Sequence, residues 1–165
     1  MEAGKKIVLL GQFGVGKTSL MRRFVKDEFA TDYKPTLGVQ IKKKVLVLPS
    51  GNEISMIIWD LEGFSSVSKT RSSYLLGSHA FIYVFDLTRP VTYYNLDDEI
   101  RFLEQHYPNI FLTIVANKLD SKDPSSITNY LKEKNIEVSH IVSAKTGEGV
   151  SALFMETGKN ITQYG

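Results

Sequence analysis

Apolar positions along the chain fall into two alternating patterns. Short apolar runs at 7–10, 81–85 and 110–115 read as strands buried on both faces. After the first run, Leu20 with Phe24 and Met21 with Val25 form i,i+4 pairs on one helical face. Residues 39–48 and 53–59 read as two strands joined by the turn "PSGN", in which Gly51 supplies a positive φ. A helix is predicted over 67–76, and Pro90 is placed to open another that runs to about residue 106. Asp123 and Pro124 look like the N-cap and first position of a helix through about 134. A sixth strand is predicted over 136–142, and a last helix begins at Val150.

Strands alternating with helices predict an α/β domain with a six-stranded, mostly parallel sheet covered on both faces by about five helices. The 39–59 hairpin adds one antiparallel edge strand. The run Lys42-Lys43-Lys44 suits such an edge, because lysines discourage edge-to-edge pairing. Residues 1–165 form one domain by length, without repeat or linker. In open sheets of this kind ligands bind beyond the carboxyl ends of the strands, so functional residues are expected just after the apolar runs.

They are found there. "GQFGVGKTS" follows the first run and fits the phosphate-loop pattern G-x-x-x-x-G-K-[ST] between a strand and a helix. Gly11, Phe13, Gly14, Val15, Gly16, Lys17, Thr18 and Ser19 are the expected phosphate-binding positions. Successive backbone N–H groups form an anion nest, and the helix adds its positive end. Lys17 reaches for the β- and γ-phosphates, and the Thr18 hydroxyl for Mg²⁺. Asp60, just past the third run, fits a magnesium-side carboxylate acting through water, although alone it also reads as a strand-end turn residue. Gly63 can bring its N–H to a γ-phosphate with no side chain in the way.

Two later stretches, "ANKLD" at 116–120 and "SAK" at 143–145, bear on the base. The Asp120 carboxylate can accept from the N1–H and 2-amino group of guanine together, whereas adenine would set a lone pair against it. Asn117 can brace the loop or bond the base, Lys118 can lie along the ring face, and Ala144 can offer its N–H to the guanine carbonyl oxygen. Ser143 and Lys145 complete the base loop.

Composition changes this picture little. Net charge is +2, too small to argue for nucleic acid or an acidic membrane. The absence of cysteine excludes disulfides, thiolate metal sites and a thiol nucleophile. No apolar stretch approaches the roughly 20 residues of a membrane span, and a cytoplasmic monomer is the expectation. His79, His106 and His140 lack metal-ligand spacing, and Asp97, Asp98 and Glu99 read as a solvated helix face.

With "GQFGVGKT", "PTLG", "WDLEG", "NKLD" and "SAK" in order, the chain resembles the Ras-like small GTPases, P-loop proteins, nearest the Rab branch. The resemblance implies a GTP/GDP switch with Mg²⁺, a hydrolase that signals to protein effectors through segments near 30–40 and 60–75. By it Thr36 ligates Mg²⁺ only when a γ-phosphate is present, making Thr18, Thr36 and Asp60 the metal set. Lys17, Thr36 and Gly63 then serve the hydrolytic step. Phe29 braces the guanine edge-on and Tyr33 closes over the phosphates. Ile41, Trp59 and Tyr74 match the apolar effector-binding triad of Rabs, though packing in the core or on the sheet is the competing account.

Three departures stand out. Phe64 occupies the position of the glutamine that orients the attacking water, and it has neither donor nor acceptor for that task. Phe13 brings bulk into the phosphate loop, where a small residue is usual, and together the two rings should dry and crowd the γ-phosphate site. Glu62 and Ser65 are the nearest polar groups. The expectation is slow hydrolysis, with a GTP-locked interaction module as the alternative. A prenylatable cysteine is also absent, so no lipid anchor is expected within these residues.

Overall fold

The computed structural model describes residues 4–30, 36, 38–64 and 66–163. Tyr33 and Ser65 lie outside the described residues. The element order is β1 (Lys5–Leu10), α1 (Lys17–Lys26), β2 (Val39–Val47), β3 (Glu53–Leu61), α2 (Ser72–Leu75), β4 (Ala80–Asp86), α3 (Leu96–His106), β5 (Phe111–Asn117), α4 (Ser125–Glu133), β6 (His140–Ile141) and α5 (Val150–Gln163). The sheet runs β2-β3-β1-β4-β5-β6, parallel except for β2, which pairs antiparallel with β3 at one edge. The predicted six-stranded α/β architecture is the one observed.

Alternation along β1 divides the core. Ile7 and Leu9 pack with Leu20, Met21 and Phe24 of α1 and Leu153 and Phe154 of α5. The Phe24 and Phe154 rings stack at 3.9 Å between centroids. Val8 and Leu10 face the other way, with Leu75, Leu96, Leu103 and Ile127 of α2, α3 and α4. Strand order reverses around β1, which lies between β3 and β4, so the loop after β1 opens into the crevice where ligands bind in such sheets. Among the described residues no helix is long and apolar enough to cross a membrane.

Four elements differ from expectation. Residues 67–76 do not form one helix. A 3-10 turn at Val67–Lys69 and the short α2 are separated by extended backbone at Thr70 and Arg71, which lets Val67 and Leu75 seat separately in the core. Pro90 opens a 3-10 turn, Pro90–Thr92, and α3 begins only at Leu96. There the buried Thr92 hydroxyl accepts the Asp86 N–H at 2.9 Å and donates to the Arg89 carbonyl at 2.7 Å, tying the segment into a turn. Strand β6 is two residues long, because Ile136 and Val138 pack against the core cluster before the chain reaches the sheet. Finally β3 extends through Leu61, so Asp60 lies within the strand, opposite Leu9 of β1, rather than beyond it.

Candidate functional site

The phosphate loop leaves β1 at Gly11 and enters α1 at Lys17. Two of its glycines are required by space as well as by φ. Gly11 has φ 143°, and a Cβ there would stand 2.3 Å from the Val84 carbonyl oxygen. Gly16 has φ 104°, and a Cβ would stand 2.2 Å from Asn117 Nδ2. The first turn of α1 carries no acidic residue of its own to oppose an anion at the positive end of the helix. Lys17 Nζ donates to the carbonyls of Gly11 (3.0 Å) and Gln12 (3.1 Å). Burial lowers the Lys17 ammonium pKa to about 8, opposed by the charge of Asp60.

Asp60 is fully buried beside this loop. Its Oδ2 accepts from Thr18 Oγ1 and, at 3.4 Å, from Thr36 Oγ1, while the two hydroxyl oxygens lie 2.6 Å apart. Its other oxygen, Oδ1, has no hydrogen-bond partner among the described residues. Burial pushes the Asp60 carboxyl pKa up, against the bond from Thr18, the charge of Lys17 and the bond from Thr36. A buried carboxylate oxygen without a partner, beside two converging hydroxyls, is a hard-oxygen corner that fits Mg²⁺. Among the described residues no group of three or more His, Cys, Asp or Glu side chains is placed to hold a metal ion. The corner therefore suits an ion that keeps waters and phosphate oxygens in its shell.

Gly63 presses on the phosphate loop, and a Cβ on it would come within 2.5 Å of both N and Cα of Phe13. The loop tip is held from outside as well. Arg89 Nη1 donates to the Phe13 carbonyl at 2.9 Å, and Gln12 Nε2 to the Val91 carbonyl at 2.8 Å. The two phenylalanines part company. Phe13, 46 % exposed, lines the main cleft, whereas Phe64 lines a neighbouring cavity with Gly11, Lys17, Tyr83 and Glu99. Lys17 lines both spaces.

At the base end, Asn117 joins two loops. Its Nδ2 donates to the Val15 carbonyl at 3.0 Å, and its Oδ1 accepts the Ala144 N–H at 3.1 Å. The Ala144 N–H assigned to a guanine carbonyl oxygen is thus already engaged and would have to be shared. Ser143 is buried and acts indirectly, its hydroxyl donating to Asp120 Oδ1 at 2.7 Å. That bond is the chief cause holding the Asp120 carboxyl below the usual range. Lys118, at φ 72°, pairs with the buried Asp86 at 2.8 Å and reaches the Gly14 carbonyl at 3.4 Å. Its stem therefore runs from the base loop back to the phosphate loop.

A cleft of about 470 Å³ gathers these parts. Phe13, Gly14, Gly16, Lys17, Thr18, Ser19, Phe29, Thr36, Asp60, Gly63, Asn117, Lys118, Asp120, Ala144 and Lys145 line it. Gly11 and Val15 do not line it, and Val15 is fully buried. Arg22 and Gln40 also line the cleft and were not anticipated. Both were within reach of the pattern, since Arg22 lies one helical turn after Thr18 and Gln40 stands opposite Asp60 in the β2–β3 register. Asp86 carried no such signal. Nor did Glu99, which is 4 % exposed and not on a solvated face. Away from the cleft, Ile41 stands opposite Trp59 across the β2–β3 pair, and the Trp59 and Tyr74 rings lie 6.3 Å apart.

This sheet order, with a phosphate loop after β1 and base-side loops after β5 and β6, is the α/β Ras-like P-loop GTPase fold. The chain belongs to the Ras family, whose family model matches residues 6–163. It is similar to Ras-related protein Rab-31 of Homo sapiens, 34% identical over 162 residues that span 94% of this chain and 82% of that protein. Ras-related protein Rab-22A of Canis lupus familiaris is 33% identical over 162 residues, with the same coverage of each chain. These relatives put it near the Rab branch.

Proposed function

We propose that the chain is a guanine-nucleotide switch that binds GTP and GDP with Mg²⁺ and hydrolyses GTP slowly. The observation that carries this reading is convergence. The phosphate loop, the Asp60–Gly63 stretch and the two base loops are far apart in sequence yet line one cleft. Lys17 and the N–H groups of residues 13–18 offer positive charge to phosphates. Thr18, Thr36 and Asp60 would hold Mg²⁺, which when bound neutralises charge developing on phosphate oxygens.

Guanine selectivity is assigned to Asp120. Its carboxylate is kept ionised by Ser143 and would face a lone pair on adenine. Hydrolysis is in-line attack by water, with the charge on the leaving phosphate met by Lys17. Phe64 cannot orient that water, and a rate about 10²-fold below a glutamine-bearing relative follows from the loss of one placed polar group. Contacts of Thr36 and Gly63 with a γ-phosphate would act on the segments near 30–40 and 60–75, next to Ile41, Trp59 and Tyr74, the surface offered to protein effectors.

Calorimetry on nucleotide-stripped protein tests the reading. Guanine nucleotides should bind at least ~10³-fold more tightly than adenine nucleotides, and equal affinity would overturn it. A second reading is a module that stays GTP-bound, favoured by the apolar ring of Phe13 at the cleft. The nucleotide that co-purifies separates the two: GTP marks the module, GDP a working hydrolase.

A further inference from the structure

Glu99 lies in the first turn of α3, and its carboxylate is the meeting point of three elements. Glu99 Oε2 accepts the Val67 N–H at 2.6 Å and the Tyr83 hydroxyl at 3.4 Å, and Oε1 accepts the Ser66 hydroxyl at 2.9 Å. The sheet, α3 and the segment following Gly63 are therefore joined through one buried acid. The site is built to hold a carboxylate. Glu99 belongs to the first turn of α3, where a negative charge is favoured, and the Tyr83 phenol, buried in β4, keeps its proton and remains a donor because burial and Glu99 push its pKa up. Val67 is anchored twice, since its side chain is also in the core.

Upstream the contacts are of another kind. Gly63 presses on the backbone of Phe13, at the phosphate end of the cleft. Only residues 64 and 65 separate that contact from the anchored pair Ser66–Val67. Detaching the pair would leave a carboxylate shut away from water without its strongest donors, which is far less favourable than moving the short stretch before it.

Resting on the proposed exchange between GTP and GDP, we propose that Glu99 pins the second switch at Ser66–Val67. Nucleotide-dependent rearrangement is then confined, among the described residues, to 61–64. Residues 66–75, with Tyr74 of the proposed effector surface, hold one arrangement in both nucleotide states. Glu99 is a positioning residue: it touches neither phosphate nor base, and it sets how far the signal from the γ-phosphate travels.

Hydrogen exchange of the full chain, loaded with GDP and then with a non-hydrolysable GTP analogue, tests this. Amides of 61–64 should differ between the two states, while those of 67–75 agree within about twofold. In Glu99→Gln and Glu99→Leu, exchange over 67–75 should rise about tenfold or more and become nucleotide-dependent, with α5 unchanged. Ser66→Ala, which removes one donor and leaves the acid, should shift 67–75 in the same direction by less. A tenfold nucleotide dependence over 67–75 in the unmodified chain would overturn the proposal, as would variants whose 67–75 exchange matches it. Failure of the nucleotide reading looks different: no stretch, including 11–18, would then respond to either nucleotide.

Discussion

Asn117 and Ala144, 27 residues apart, are joined by a 3.1 Å hydrogen bond from the Ala144 N–H to Asn117 Oδ1, while Asn117 Nδ2 holds the Val15 carbonyl. One buried amide thus fixes the spacing between the phosphate loop and the base loop. Asn117→Ala would leave a buried donor and a buried acceptor unpaired. The expected loss is about 2 kcal/mol or more of unfolding free energy, read from urea midpoints, together with weaker binding of both GDP and GTP. A variant with unchanged midpoint and affinity would show that the bridge is dispensable.

Asp60 is penalised by its own burial, and its Oδ1 has no partner among the described residues. Asp60→Asn removes that charge. Without nucleotide and Mg²⁺ the variant should be as stable as the parent or about 1 kcal/mol more so. Its nucleotide affinity should lose most of its Mg²⁺ dependence, an effect of ~10–100-fold. Melting curves and nucleotide release with and without a chelator measure both. Release that still slows with Mg²⁺ in the variant would remove Asp60 from the metal corner.

Phe64 lines the cavity beside Lys17 instead of the cleft itself. Phe64→Gln should raise single-turnover GTP hydrolysis about 10²-fold. No acceleration would mean that something other than the missing amide limits the reaction.

His79 Nδ1 accepts the Lys6 N–H at 3.0 Å, which requires that nitrogen unprotonated. Burial, and then the charge of Lys5, hold its pKa below the ordinary value of 6.5. The unfolded chain therefore binds the proton more readily, and unfolding free energy should fall as pH drops through 6.5, levelling below the folded-state pKa. His79→Asn keeps an acceptor near Nδ1 without titrating there, and should flatten this part of the profile in denaturant titrations from pH 7.5 to 5. Identical slopes in the two proteins would contradict the linkage.

The parts of the site that could be read in advance are those whose chemistry is local. Gly11 to Ser19 fit a nest because a short turn between a strand and a helix fixes where the N–H groups point. Asp120 and Ala144 could be placed because they directly follow apolar runs, and in a parallel sheet that position faces the ligand side. Glu99 could not, since its shortest hydrogen bond comes from Val67, 32 residues away, and its neighbours Asp97 and Asp98 spell an ordinary charged face. The break in 67–76 is not legible in the sequence for a related reason. Helical spacing records which residues are apolar, not that Val67 and Leu75 take separate seats in the core.

By itself, then, the order of apolar runs and glycines determined the layered sheet, its antiparallel edge and the rim where phosphate-binding and base-side loops emerge. Backbone geometry over a few residues suffices for each of these. Tertiary structure alone decided how the loops are held to one another: Asn117 between Val15 and Ala144, Asp86 on Lys118, and Glu99 on Ser66 and Val67. Those bonds join residues brought close only when the sheet and helices pack, and a buried polar group takes whichever partner the packing leaves within reach.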